Sequence, residues 1–159
     1  MKKAYITGAT GAIGMALVDE LLKNGISTTV FLRKGSGRND RVKDSFSGEL
    51  ASGLLRIEYV SLEELSGYAM SRNTQDMQTY ASQDLLTKAA GGADTAVFYH
   101  LGWSGTFGEQ RNNADMQQKN VEYALDAVRL AKRLGCVHFI GVGSQAEYGR
   151  FEGRLTPED

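Results

Sequence analysis

The first apolar run, Ala4-Tyr5-Ile6-Thr7, is short and predicts a buried strand. From Ala12 the apolar positions change to a helical period. Ile13, Leu17 and Leu21 form one row, Gly14, Val18 and Leu22 form the next, and Asn24-Gly25 supplies a stop. Residues 28–32 are β-branched and apolar and predict a second strand. Residues 34–39 read as a polar loop and 40–52 as a weak helix. Residues 54–60 read as a third strand, with Leu55, Ile57 and Tyr59 alternating with polar neighbours. The mostly polar stretch 61–92 predicts two short helices, the second over 82–90, ended by Gly91-Gly92. A fourth strand follows at 95–99, then a glycine-rich loop at 102–108. A long amphipathic helix comes next, with Val121, Leu125, Val128 and Ala131 on one face and a stop at Leu134-Gly135. A fifth strand spans 137–142, and the chain from Gly143 onward reads as loop.

Strands that alternate with helices predict βαβ units and a parallel sheet. Parallel neighbours need crossover connections, which are right-handed. The expected architecture is therefore a doubly wound α/β sheet with strand order 3-2-1-4-5.

Bulk properties narrow the picture only slightly. The 159 residues fit one domain, and a domain of about 150 residues buries roughly 70% of its unfolded surface. A net charge of -1 gives no electrostatic case for nucleic acid or an anionic membrane. The one cysteine, Cys136, excludes an internal disulfide and a cysteine metal cluster; its apolar setting predicts a buried thiol. The apolar stretch after Lys2-Lys3 is too short for a signal peptide, and no segment approaches a transmembrane span. The expectation is a soluble cytoplasmic protein without a metal site.

Chemistry enters with TGATGAIG, residues 7–14, which lies between the first strand and the first helix. A helix N-terminus offers unpaired N–H groups and the positive end of the helix dipole, which suits a pyrophosphate. Gly8 would permit the turn, Gly11 close approach of the ligand, and Gly14 tight packing of helix on strand. The spacing is G-x-x-G-x-x-G, and the bland alternative is a glycine-rich turn with no ligand. After the second strand the chain reads FLRKGSGR, with no acid before Asp40. Arg33 and Ser36 could bind a 2′-phosphate that a carboxylate would repel, so NADP is favoured over NAD. The bland alternative here is a solvated basic loop.

With these motifs assembled, the chain resembles the extended short-chain dehydrogenase/reductase family, the NAD(P)-dependent nucleotide-sugar epimerases, dehydratases and reductases. TGATGAIG resembles that family's T-G-x-x-G-x-x-G fingerprint. FYHLGWSG, residues 98–105, resembles its strand-4 motif, and Asn120-Val121 its N-V pair. FIGVGSQAEYG, residues 139–149, resembles its fifth strand and following loop. The resemblance implies that Thr7, Gly8, Gly11 and Gly14 hold the pyrophosphate, with backbone N–H groups from Ala12 and Ile13. It implies that Arg33 and Ser36 meet a 2′-phosphate, that Leu62 lies by the adenine, and that Asn120 belongs to the cofactor site. His100, Leu101 and Gly102 would line the nicotinamide ribose. Ser144 falls at the catalytic Ser or Thr that hydrogen-bonds the reacting oxygen.

Three departures stand out. Gly102 replaces the usual alanine, which is expected to loosen packing. Ser61-Leu62 replaces an Asp-hydrophobic pair. No tyrosine has a lysine four residues later, so the family's Tyr-x-x-x-Lys pair is absent. The segment 155–159, LTPED, resembles the lead-in to that motif. The expectation is a Rossmann domain over 1–159 that stops before the catalytic pair, the C-terminal strands and the substrate region. The function implied is the dinucleotide-binding part of a nucleotide-sugar epimerase, dehydratase or reductase. The alternative is a non-catalytic NADP-binding sensor or regulatory module, and a ligand-free scaffold of the same fold is a third. Tyr148, Gln145 and Glu147 have weaker claims on a role, and His138 has none visible. Trp103 is either a binding wall or a core residue. Apolar surface left uncovered on the fifth strand and the long helix predicts self-association, as a homodimer or a weak aggregate.

Overall fold

The computed structural model describes residues 1–71, 95–106 and 108–143. The expected helix over 82–90 and Ser144, Gln145, Glu147 and Tyr148 lie outside the described residues.

Five parallel strands form one sheet in the order β3-β2-β1-β4-β5, as the pattern predicts. Strand β1 (Lys3–Thr7) lies between β2 (Ser27–Leu32) and β4 (Ala96–His100). Strand β3 (Leu55–Tyr59) adds to β2, and β5 (His138–Gly141) adds to β4. The strand pairings run Thr7 against Phe31 on one side and Thr7 against His100 on the other. This register aligns the carboxyl ends of the three central strands, which is what positions the site.

Alternation along β1 sends Ala4 and Ile6 to one face and Tyr5 to the other. On the first face Ala4, Ile6, Val30, Leu32 and Leu55 pack with Val18, Leu21 and Leu22 of α1 (Ala12–Lys23). The same core includes Val42 of α2 (Asn39–Ser45) and Phe46. The single weak helix expected over 40–52 is two helices, α2 and α3 (Ser47–Ser52). The break is at Phe46, whose φ of -128° leaves the helical region while its ring enters this core, 6% exposed. Ile13, at the head of one of the two helical rows, is 66% exposed in the first turn of α1.

On the second face Phe31 and Phe98 pack with Leu65 and Ala69 of α4 (Leu65–Ser71) and with Ala127, Leu130 and Ala131 of α5 (Ala114–Arg133). Tyr5 and Phe139 join them. Their rings form a row across four strands, with centroids 6.5 Å apart for Phe31–Tyr5, 6.4 Å for Tyr5–Phe98 and 5.7 Å for Phe98–Phe139. The buried side of α5 is Asn120, Ala127, Leu130 and Ala131. Of the stripe expected on one face, only Ala131 is buried; Val121, Leu125 and Val128 are exposed. Ala127, Leu130 and Ala131 face the aromatic row. Val137, Ile140 and Val142 on and beside β5 are also exposed, so apolar surface is uncovered on both elements as expected. Asn113 caps α5 by accepting from the Met116 N–H at 3.0 Å. Asp115 in the first turn and Lys132 and Arg133 in the last complement the helix dipole. Cys136 is half-buried against the second core, and burial pushes its thiol up to about 12. No helix among the described residues is long and apolar enough to cross a membrane.

Candidate functional site

The strand order reverses direction between β1 and β4, and the carboxyl ends of these two strands bound a crevice. In open α/β sheets ligands bind at such a switch point. The turn between β1 and α1 forms one wall. Gly8 has φ +75°, a conformation glycine adopts without strain. A Cβ there would sit 2.6 Å from the Leu101 carbonyl carbon and 2.7 Å from the Gly102 nitrogen. Gly8 is therefore the point where this turn touches the segment after β4. At Gly14 a Cβ would collide with the Gly8 carbonyl oxygen and lie 2.7 Å from the Ala9 Cα. Gly14 lets α1 seat on the turn.

Gly11 differs from both. Its φ is -77°, available to any residue, and a Cβ would meet only the Gly8 oxygen, at an ordinary 3.5 Å. Neither backbone strain nor packing among the described residues demands glycine there. Gly11 is also exposed and is the N-cap of α1. It brings no capping side chain to the first turn, and no acid lies in that turn. The N–H groups of Ala12 and Ile13 are thus at the open, positive end of a twelve-residue helix.

The segment after β4 is tied to β1 by a buried polar link. Thr7 Oγ1 lies 2.8 Å from His100 Nδ1 and accepts from the Gly102 N–H at 3.3 Å. Thr7 is 1% and His100 4% exposed. Burial lowers the imidazole from its ordinary value, so His100 is held neutral. Its Nε2 has no hydrogen-bond partner among the described residues. His100 is a structural tie at the crevice floor.

The third wall comes from beyond β3. A 3₁₀ turn at Leu62–Glu64 opens with a capping box: Glu64 Oε2 accepts from the Ser61 N–H at 2.8 Å and from the Ser61 hydroxyl at 2.9 Å. Ser61 is engaged in that cap. The Ser61 N–H holds the Glu64 carboxyl below its ordinary value. Leu62 then reaches across to Gly102, where a Cβ would come within 2.9 Å of Leu62 Cδ2 and 3.3 Å of Thr7 Oγ1. Glycine at 102 was expected to loosen packing; instead its space is occupied by Leu62.

The basic loop leaves β2 beside the glycine turn. Arg33, Lys34 and Arg38 are exposed, and Ser36 is half-buried. Asn39 folds the loop back by donating to the Arg33 carbonyl at 2.9 Å, and Ser36 Oγ accepts from the Arg38 N–H at 3.4 Å. Asp40, the first acid in the sequence after this strand, pairs with Lys43 at 3.1 Å. Asn39 and its unpartnered buried Oδ1 carried no sequence signal that set them apart from a helix-start asparagine.

Asn120 is placed differently from the other expected site residues. It is 1% exposed; its Oδ1 accepts from the Ser104 N–H and its Nδ2 donates to the Ser104 carbonyl, each at 2.8 Å. It fixes the loop after β4 from beneath. Gln117, one helical turn earlier, accepts from Trp103 Nε1 at 2.9 Å and donates to the Gln110 and Arg111 carbonyls at 3.2 Å. Sequence reasoning missed Gln117, since nothing in the pattern separates it from a solvent-facing helical glutamine. Thr7, Gly8, Gly11, Ala12, Gly14, Leu62, His100, Leu101 and Gly102 are brought together at one end of the sheet. Arg33 and Ser36 lie on the adjoining strand end.

A doubly wound sheet with a glycine turn at its switch point is the frame of a dinucleotide-binding protein. The chain belongs to the NAD dependent epimerase/dehydratase family, whose model matches residues 4–159. A search of curated proteins found no match. Among solved structures, the chain is similar to the UDP-Glc/GlcNAc 4-epimerase from Campylobacter jejuni, with 18% identity and a TM-score of 0.64 over 94% of this chain and 39% of that one. It is similar to MoeE5 in complex with UDP-glucose and NAD, with 17% identity and a TM-score of 0.62 over 99% of this chain and 41% of that one. Yeast methylglyoxal/isovaleraldehyde reductase Gre2 complexed with NADPH matches at 13% identity and a TM-score of 0.57, over 91% and 37%. At these identities the likeness shows the fold. The chain spans about 40% of the length of these proteins.

Proposed function

We propose that this chain is the dinucleotide-binding part of an NAD(P)-dependent enzyme acting on a nucleotide sugar, by epimerisation, dehydration or reduction, with NADP preferred. The observation that carries the reading is Gly11, a glycine that no contact among the described residues calls for, at the open N-terminus of α1. A pyrophosphate seated on the Ala12 and Ile13 N–H groups would need the space a Cβ at Gly11 would fill. Arg33 would pair with a 2′-phosphate, with Ser36 as a hydroxyl partner. Leu62 would flank the adenine. His100, Leu101 and Gly102 would line the ribose on the nicotinamide side, and Asn120 would act through the loop it holds. Ser144 would hydrogen-bond the reacting oxygen of the sugar. The nicotinamide, when bound, supplies the hydride acceptor or donor. The similarity to MoeE5 with UDP-glucose and NAD supports the substrate class, and the basic loop supports NADP.

The test compares Gly11→Ala with Gly14→Ala by calorimetric titration of NADPH and NADH and by thermal melting. Gly11→Ala should keep its melting temperature nearly unchanged, since the N-cap change costs about 1 kcal/mol or less. It should weaken NADPH binding about tenfold or more. Gly14→Ala should lower stability outright. Wild-type affinity for Gly11→Ala, or a wild-type protein that binds neither nucleotide, would sink the proposal.

A further inference from the structure

Trp103 is the one tryptophan of these 159 residues and is 46% exposed, so it is not a core residue. It follows Gly102 directly, at the carboxyl edge of the sheet on the β4 side of the switch point. Three features hold it. Its Nε1–H donates to Gln117 Oε1 at 2.9 Å. Ser104, its neighbour, is bonded through both backbone groups to the buried Asn120 amide. Gly105 has φ +70°, and a Cβ there would press on Met116 Cγ at 2.8 Å, so the loop lies flat on the first turns of α5. The indole's only polar atom is already paired. What remains exposed is an apolar ring surface on a loop fixed at two neighbouring residues.

We infer that Trp103 is a positioning residue for the nicotinamide ring, against which its exposed indole surface packs. The inference rests on the proposed dinucleotide site and assigns a residue within it. A doubly wound sheet binds a dinucleotide as two mononucleotide halves on either side of the switch point. The glycine turn and the basic loop belong to the β1–β3 half. The loop after β4 belongs to the other half, so the nicotinamide half lies over the segment that carries Trp103. A flat, electron-poor ring is a suitable partner for an indole face.

The experiment uses the full-length protein and two probes, NADP⁺ and 2′-phospho-ADP-ribose, which lacks only the nicotinamide. Both are titrated calorimetrically into wild type, Trp103→Ala and Trp103→Phe. Trp103→Ala should bind NADP⁺ about five- to tenfold more weakly while its affinity for 2′-phospho-ADP-ribose is unchanged, and Trp103→Phe should recover most of the loss. In parallel, NADP⁺ should quench the emission of Trp103, the one tryptophan of these 159 residues, and 2′-phospho-ADP-ribose should not; this reads contact even if Trp103→Ala fails to fold. Equal loss for both probes, no loss for either, or identical quenching by both would overturn the inference while leaving the dinucleotide site standing. Binding of neither probe by wild type would overturn the proposed function, and the inference with it.

Discussion

Replacing Thr7 by valine keeps a β-branched side chain of nearly the same shape in the middle of the sheet, so strand preference and packing are preserved. What is lost is the hydroxyl. His100 Nδ1 loses its partner at 2.8 Å, and the Gly102 N–H loses an acceptor at 3.3 Å. The imidazole is 4% exposed, so water cannot substitute. Leaving one buried polar group unpaired costs about 1–3 kcal/mol, and the longer bond to Gly102 adds less. The expected total is about 2 kcal/mol. For a domain of this size each kcal/mol moves the melting temperature by about 2–4 °C, which predicts a fall of about 4–8 °C. Calorimetry or circular dichroism near neutral pH reads it directly. Thr7→Ser retains the hydroxyl and loses one methyl group, so it should fall by about 1 kcal/mol. A Thr7→Val protein that melts with wild type, or a Thr7→Ser protein that falls as far as Thr7→Val, would refute the reasoning that the hydroxyl joins the two strand ends.

Two further outcomes follow from burial. Burial holds His100 below its ordinary value of 6.5 in the folded state, so the unfolded chain takes up the proton first. Stability is then independent of this group above pH 6.5 and declines as pH falls below it, by at most about 1.4 kcal/mol per pH unit. Urea titrations at a series of pH values should show that component in wild type and not in His100→Asn. Cys136, with its thiol pushed up to about 12 by burial, should react with an aromatic disulfide reagent far more slowly in the folded protein at pH 8 than in urea. Equal rates would mean that the thiol is open to solvent.

The elements that position the site were legible because each has a local cause. β1 is marked by the short run Ala4-Tyr5-Ile6, α1 has two helical rows, and the glycines fall between them. Strand order followed from right-handed crossovers, which do not depend on side-chain detail. What stayed illegible depends on contacts between segments distant in sequence. Leu62 filling the space at Gly102 joins positions forty residues apart, and no local pattern announces it. The exposed stripe on α5 misled for a related reason: Val121, Leu125 and Val128 have the right period, but the side turned to the aromatic row is Asn120, Ala127, Leu130 and Ala131. Gly11 could be recognised by spacing. Its separation from Gly8 and Gly14, as a glycine unneeded by the fold itself, required coordinates.

The aromatic row also governs where the chain leaves the sheet. Strand β5 has only four residues, and three of them are exposed. Phe139 is the one that reaches inward, stacked on Phe98 at 5.7 Å and on His100 at 6.1 Å. A slip of one residue along β4 would turn that ring to the opposite face. The ring therefore works as an alignment pin. It keeps Gly141 level with His100, and so sets the point from which the segment after β5 must start its path relative to the crevice. A substitution at Phe139 should accordingly disturb the geometry of the crevice more than the hydrogen bonding of so short a strand would suggest.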